Sequence, residues 1–213
     1  MSADELLDHV TVFDTVVVNY FLAIGEVDVL TALCGAVLVP RAVFDPDEPD
    51  DEREEGMSEL RRGWHLHRRR ASGREFGPDM KAKSSAILPH FERLPDLVQQ
   101  HLLVAMDLSD EELAQYARLR DRTRMRDLGL TVGLGHGEAA VLALCNSRGL
   151  RPATDDSDAL KAAAAILPGV TPLRIRALLT LAAARGLMTE GQAIDAHRRM
   201  KALGFWDKDD LVF

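Results

Sequence analysis

Four carboxylates stand out by their positions. Asp14 ends the apolar run Val10-Thr11-Val12-Phe13, Glu138 lies in Gly137-Glu138-Ala139-Ala140, and Asp155 and Asp156 lie in Thr154-Asp155-Asp156-Ser157-Asp158. Carboxylates crowded into one pocket repel one another, so such a cluster persists only if protons or a cation compensate. Hard oxygen ligands select Mg²⁺, Ca²⁺ or Mn²⁺ over zinc. A cation so held can bind a phosphate oxygen and lower the pKa of an attacking water, which is metal-assisted phosphodiester hydrolysis. A plainer role competes for some of these acids. Asp155 and Asp158 flank a helix start, where carboxylates cap backbone N–H groups and favour the helix dipole. Glu138 also reads as an ordinary first-turn glutamate, whereas Asp14 on a strand end has little else to do.

The elements that must position these acids follow from the patterning. Residues 10–13, 36–39 and 150–153 are short apolar runs, each followed by a helical pattern. Such alternation predicts parallel, adjacent strands in one α/β sheet. Ligands collect outside the carboxyl ends of such strands, where Asp14 and the Asp155-Asp156 pair fall. Helices are expected over Thr15–Ile24, Asp28–Leu33, Ala139–Cys145, Asp158–Leu167, Leu173–Ala184 and Glu190–Leu203. Arg148-Gly149-Leu150 reads as a helix exit. Ser109-Asp110-Glu111-Glu112 reads as a capping box opening a helix to about Arg126. From Leu94, the positions Leu97, His101, Val104 and Ala105 share a helical face, and Leu211-Val212-Phe213 reads as a final strand.

Composition bounds the rest. The chain of 213 residues is 46% hydrophobic with a net charge of −8. That length suits one domain with a sizeable core. The charge argues against bulk, non-specific nucleic-acid affinity but not against a local basic patch. Asn19, Arg176 and Arg185 interrupt the best candidate membrane spans. Asp4, Glu5 and Asp8 stand where an export signal needs basic residues, and Cys34 and Cys145 sit in apolar segments as buried thiols. A cytoplasmic location is the expectation.

The composition changes after Asp45. Pro46–Glu55 holds seven acids against one arginine, a run that usually stays solvated. Arg61-Arg62-Gly63-Trp64-His65-Leu66-His67-Arg68-Arg69-Arg70 follows, and Ala71–Ser85 reads as a loop. The basic, aromatic stretch suits a phosphate backbone, with Arg68, Arg69 and Arg70 as candidate nucleic-acid contacts. It suits equally well pairing with the acidic run before it. The spacing of His65 and His67 does not put both imidazoles on one helix face.

Phe13-Asp14-Thr15, Val39-Pro40-Arg41-Ala42-Val43, Gly137-Glu138-Ala139-Ala140, Thr154-Asp155-Asp156, Gly186-Leu187 and Leu203-Gly204-Phe205-Trp206 resemble, in that order, the landmarks of PIN-domain proteins. The resemblance covers residues 10–45 and about 94–213, leaving 46–93 as a charged insertion. It implies a three-layer α/β/α sandwich around a parallel sheet, whose acidic pocket binds Mg²⁺ or Mn²⁺ and hydrolyses RNA. The matching positions are Asp14, Glu138 and Asp156 as metal ligands, with Asp155 beside them and Thr15 and Asn19 placed to hydrogen-bond the pocket. Two positions depart from the pattern. A glutamate usual three residues after the valine of Pro-x-x-Val is Pro46 here, and an arginine often found after the Asp pair is Leu160. Asp45 and Asp47 are the nearest acids to the first, but one residue of slip on a helix turns a side chain by about 100°. The implied activity is metal-dependent cleavage of single-stranded RNA, with the toxin half of a toxin–antitoxin pair as one setting. An antitoxin protein or a second copy of the chain would then be its partner. The alternative is a module of the same fold that has lost catalysis and binds nucleic acid or a protein.

Overall fold

The computed structural model describes residues 10–48, 57–130 and 133–213. The acidic stretch 49–56 lies outside them. In chain order the elements are β1 (Thr11–Phe13), α1 (Thr15–Ala23), α2 (Val27–Cys34), β2 (Val37–Pro40), α3 (Glu59–Ser72), α4 (Pro78–Phe91), α5 (Leu94–Gln99) and β3 (Leu103–Met106). There follow α6 (Asp110–Arg120), α7 (Arg122–Met125), α8 (His136–Arg148), β4 (Arg151–Ala153), α9 (Ser157–Ile166), α10 (Ile175–Ala184) and α11 (Glu190–Ala202).

The four strands form one all-parallel sheet in the order β3-β2-β1-β4. Residues 11–13 of β1 are buried throughout, as a strand covered on both faces requires. Pro152 is tolerated in β4 because that strand stands at the sheet edge. Beyond it, among the described residues, only Leu173 attaches, donating its N–H to the Pro152 carbonyl at 2.9 Å. Helices cover both faces, giving a three-layer α/β/α sandwich. Helix α8 is apolar all round over Ala139–Cys145 and wholly buried there, the pattern of a core helix. It packs on β1, β2 and β4, with α6 and α9 beside it. The layer containing α1 and α2 is completed by α10 and α11. Among the described residues no helix is long and apolar enough to cross a membrane.

The chain runs β1, β2, β3 outward in one direction and then returns to place β4 on the far side of β1. The switch point therefore lies between β1 and β4, where the carboxyl ends of two neighbouring strands diverge from helices on opposite faces. Such a crevice is where open α/β sheets collect ligands.

Three expectations are corrected. Leu103–Met106 is a strand, not a continuation of the helix from Leu94. That helix stops because His101 adopts φ 57°, a left-handed conformation usually left to Gly or Asn. Ala71–Ser85 is not all loop: α4 begins at Pro78, with Gly77 at the N-cap, and proline suits the first helical turn. Leu211–Phe213 forms no strand, although Leu211 is buried. Within the span read as an insertion, Leu60, Trp64, Ile87 and Phe91 all join the core.

Candidate acidic site

Asp14 leaves β1 and caps α1. Its Oδ1 accepts from Thr15 N at 2.6 Å, and its Oδ2 accepts from Thr154 Oγ1 at 2.9 Å across the switch point. The side chain is fully buried. Burial and the negative charges of Glu138 and Glu59 hold its carboxyl well above the usual range, against the opposing hydrogen bonds from Thr154 and Thr15. Burial, the largest of these influences, and the two acidic neighbours together outweigh the two donors.

Glu59 is the acid that the sequence pattern concealed. It opens α3, and its N–H donates to the Ala42 carbonyl at 3.1 Å while Leu60 N donates to the Val43 carbonyl at 2.9 Å. The start of α3 is thus joined directly to the turn that ends Pro40–Val43. In space α3 therefore continues from the turn that ends at Val43. Glu48 fastens this junction, accepting from Ser58 N at 2.7 Å and from Ser58 Oγ at 2.9 Å. Thr15 Oγ1 donates to Glu59 Oε2 in a short hydrogen bond, and Gly137 N donates to Glu59 Oε1 at 3.0 Å. Asp45 and Asp47, the acids nearest the expected position, turn elsewhere and share the Arg41 guanidinium with Asp107.

Gly137 lets the acids approach one another. A Cβ there would stand 2.5 Å from Glu59 Oε2, 3.0 Å from Thr15 Oγ1 and 3.2 Å from Asp14 Oδ1. The absent side chain is the floor of an oxygen-lined cradle. Glu138 follows, folded back toward the N-terminus of α8, so that its Oε2 would meet a Cβ on Gly135. That Oε2 is buried without a hydrogen-bond partner. Burial, together with the charges of Glu59 and Asp156, raises the Glu138 carboxyl above its ordinary pKa.

The pair after β4 divides. Asp156 caps α9, with Oδ1 accepting from Asp158 N at 2.9 Å and Ala159 N at 2.8 Å, and its charge reaches Glu138. Asp155 points away. Its Oδ1 accepts from Arg174 Nε at 2.7 Å and its Oδ2 from Ile175 N at 2.6 Å. It therefore tethers the start of α10 and does not join Asp14. Asp158 pairs with Lys161 at 2.8 Å.

The structure thus gathers Asp14, Glu59, Glu138 and Asp156 by charge and contact, holds Thr15 among them, and leaves Asp155 outside. Asn19 lies one turn along α1, facing Gly63 of α3. Beside Glu59 opens a cleft of about 300 Å³, walled by Arg41, Arg62 and His136. Tyr116 Oη and Arg120 approach His136 Nδ1 there. Sequence reasoning does not reach Glu59, whose only local signal is Ser58 as the residue before a helix start.

The arginine block divides as well. Arg61 is buried and turns to the acidic side, donating to the Asp45 and Pro46 carbonyls at 3.3 Å and lying 3.4 Å from Glu48 Oε2. Pairing with the acidic run therefore holds for Arg61. Arg68 lies over the Trp64 ring at 5.0 Å, Arg69 is exposed and Arg70 is half-buried. At about 1.5 Å per residue, Arg70 stands roughly 16 Å along α3 from Glu59.

Among the described residues no three acidic, thiol or imidazole side chains stand as a ready-made metal shell. The hydrogen bonds above occupy most of the carboxylate oxygens. The donor set still fits a hard divalent cation: oxygen ligands only, acids that raise one another's pKa, and a buried Glu138 oxygen lacking a partner. No protein-family model, curated protein or solved structure matches the chain.

Proposed function

We propose that the chain is a metal-dependent ribonuclease of the PIN-like kind, hydrolysing phosphodiester bonds of single-stranded RNA at the Asp14–Glu59–Glu138–Asp156 cluster. One observation carries this reading: four acids share a switch-point crevice in which two carboxyls, Asp14 and Glu138, are raised by burial and by their acidic neighbours. Structural acids are ordinarily paired with bases, and among the described residues none of these four forms an ion pair, His136 standing only within electrostatic reach of Glu59. Mg²⁺ or Mn²⁺ bound among them would neutralise phosphate charge and activate water for in-line attack.

Each residue has a role that its surroundings support. Asp14 is the anchor, oriented by Thr154 Oγ1 and the N-terminus of α1. Glu59 supplies the second acid, oriented by Thr15 and Gly137 N. Glu138 contributes the unpartnered oxygen, and Asp156 adds charge from the N-cap of α9. Asp14 is fully buried, and Glu59 is the member of the cluster that lines the cleft shared with Arg62 and His136.

Loss of catalysis is the competing reading because no acid follows Val43 at the usual spacing. Glu59 weakens that objection. The resemblance makes a toxin with a cognate antitoxin one setting for such an activity. The test is cleavage of a panel of RNAs by purified protein with Mn²⁺ or Mg²⁺, together with calorimetry of metal binding. RNA cleavage lost in Asp14→Asn is the expected result. Binding without cleavage under either metal would favour the non-catalytic module.

A further inference from the structure

Helices α1, α3 and α4, with Leu203 just past α11, enclose a second cavity of about 430 Å³, separate from the acids. That size is typical of small-molecule sites, which pair apolar walls with a few converging polar groups. Ile87 and Leu203 supply apolar wall, and the Tyr20 ring, tilted against Phe205 at 5.1 Å, supplies an aromatic one.

Its polar side is basic. Arg70, His67 and Lys83 all line the cavity. Arg70 Nε is buried and donates to nothing, whereas buried donors are nearly always paired. Lys83 Nζ reaches only the Ala202 carbonyl, at 3.5 Å. Asp79 stands at the wall but is exposed, and among the described residues no carboxylate bonds to Arg70 or Lys83. Burial first, then the charges of Arg70 and Lys83, push the His67 imidazole below its ordinary pKa. The three bases therefore sit within electrostatic reach of one another, and Asp79, exposed like Lys83, is the one acid lining the cavity among the described residues. A guanidinium with a free N–H beside an ammonium matches the oxygens of a phosphate.

We propose that this cavity binds a nucleotide unit, with its phosphate on Arg70 and Lys83 and its base along Tyr20. The unit has two sources: a free mononucleotide, or a residue of an RNA chain engaged at the acids. The second source rests on the ribonuclease reading. Glu59 and Arg70 share α3, roughly 16 Å apart along its axis, a span that a few nucleotides of single strand cover.

The experiment measures binding in chelator, so that no cleavage intervenes. Adenosine 5′-monophosphate is titrated by calorimetry and a labelled oligouridylate by anisotropy, against wild type, Arg70→Gln and Lys83→Gln. Lys83 is exposed, so its variant keeps the test open should Arg70→Gln fold poorly. Both cavity variants are expected to weaken binding by about tenfold, the scale of one charge-assisted hydrogen bond. Loss of oligonucleotide affinity in both cavity variants assigns the cavity to the RNA chain, and loss confined to the mononucleotide assigns it to a free ligand. Unchanged affinity for both probes, or no binding of either by wild type, overturns the inference. An inactive protein with intact, Arg70-dependent binding would instead refute the nuclease reading alone.

Discussion

Glu59 Oε1 accepts a hydrogen bond from Gly137 N at 3.0 Å, across 78 positions of sequence. The contact joins the first residue of α3 to the first turn of α8, helices that reach the crevice from opposite ends of the chain's middle third. It also fixes which acid completes the cluster. A backbone N–H has one direction, so the carboxylate that meets it is held in place as a side-chain pair alone would not hold it.

Replacing Glu59 with Gln keeps that acceptor and removes the charge. RNA cleavage is expected to fall by about 100-fold, the scale seen when one preorganised electrostatic group is lost. Asp45→Asn and Asp47→Asn should leave cleavage near wild type, because both carboxylates belong to the Arg41 cluster. Parallel rate measurements on the three variants decide whether the acid after Val43 is Glu59 or a neighbour.

Gly137→Ala sets two effects against each other. Alanine inside a helix is favoured over glycine by up to about 1 kcal/mol. Here its methyl would stand 2.5 Å from Glu59 Oε2 and drive that carboxylate off the Gly137 N–H. A charge-assisted hydrogen bond contributes about 1.5–3 kcal/mol, but the long Glu59 side chain can find water instead. Stability is therefore expected to change by no more than about 1–2 kcal/mol, while metal affinity falls sharply. Denaturant unfolding and calorimetry on one preparation check the pair. A variant with wild-type metal binding would show that the cradle plays no part.

The sequence is legible where local patterning and tertiary demand coincide. The runs ending at Asp14, Pro40 and Ala153 hold strands; β1 and, apart from half-buried Leu38, β2 are buried as their apolar residues require, whereas β4 also buries Arg151 and Pro152. The capping box at Ser109 is present, and the structure shows a second at Thr189 opening α11. Glu59 is illegible because its position depends on a junction of α3 with the Val43 turn, fastened by Glu48 on Ser58, that sequence spacing cannot encode. Leu103–Met106 is hidden by a helix that ends on a left-handed histidine with no glycine to mark it. Asp155 and Asp156 are chemically identical neighbours. Only Arg174 and Ile175 N, arriving from nineteen and twenty residues on, determine which of them leaves the pocket.

That division predicts opposite phenotypes for two adjacent substitutions. Asp155→Asn replaces one of two carboxylate acceptors by an N–H, so either Arg174 Nε or Ile175 N loses its partner, and stability should fall by about 1–3 kcal/mol with cleavage per folded molecule retained. Asp156→Asn keeps an oxygen to cap α9 and should retain most of the stability while weakening metal-dependent cleavage. Thermal melts and initial rates on both proteins separate the roles. Equal loss of activity in the two would place Asp155 in the site after all.

Glu112 offers a stability switch remote from the acids. Its carboxylate accepts from Ser109 N and from Arg148 Nε and Nη2, all at 2.7–2.8 Å, which holds its pKa down to about 2. In the unfolded chain it titrates near 4.5. A lowered folded pKa contributes stability that is complete above the unfolded value and disappears as pH falls through the folded one. The contribution should therefore fade between about pH 4.5 and 2. Glu112→Gln should cost about 2 kcal/mol at neutral pH and flatten the acid limb of the stability curve across that window.

Asp14 should behave with the opposite sign. Its folded pKa lies above the unfolded value of 3.8, so between the two the folded state holds a proton that the unfolded state has released. Stability of the metal-free protein must then fall as pH rises through that window, because the ionised carboxylate stays buried beside Glu138 and Glu59. Asp14→Asn removes the ionisation, while the amide oxygen it introduces can still accept from Thr15 N. The metal-free variant should therefore melt higher than wild type at neutral pH. Millimolar Mn²⁺ should reverse the order, since binding to the folded state stabilises it by mass action and the variant lacks the charge that attracts the ion. A melting-temperature series over pH, with chelator and with Mn²⁺, reads both signs in one experiment. If Asp14→Asn melts lower than wild type in chelator, the buried carboxylate is a net support of the fold, and the cluster's unrelieved charge is no longer an argument for a cation.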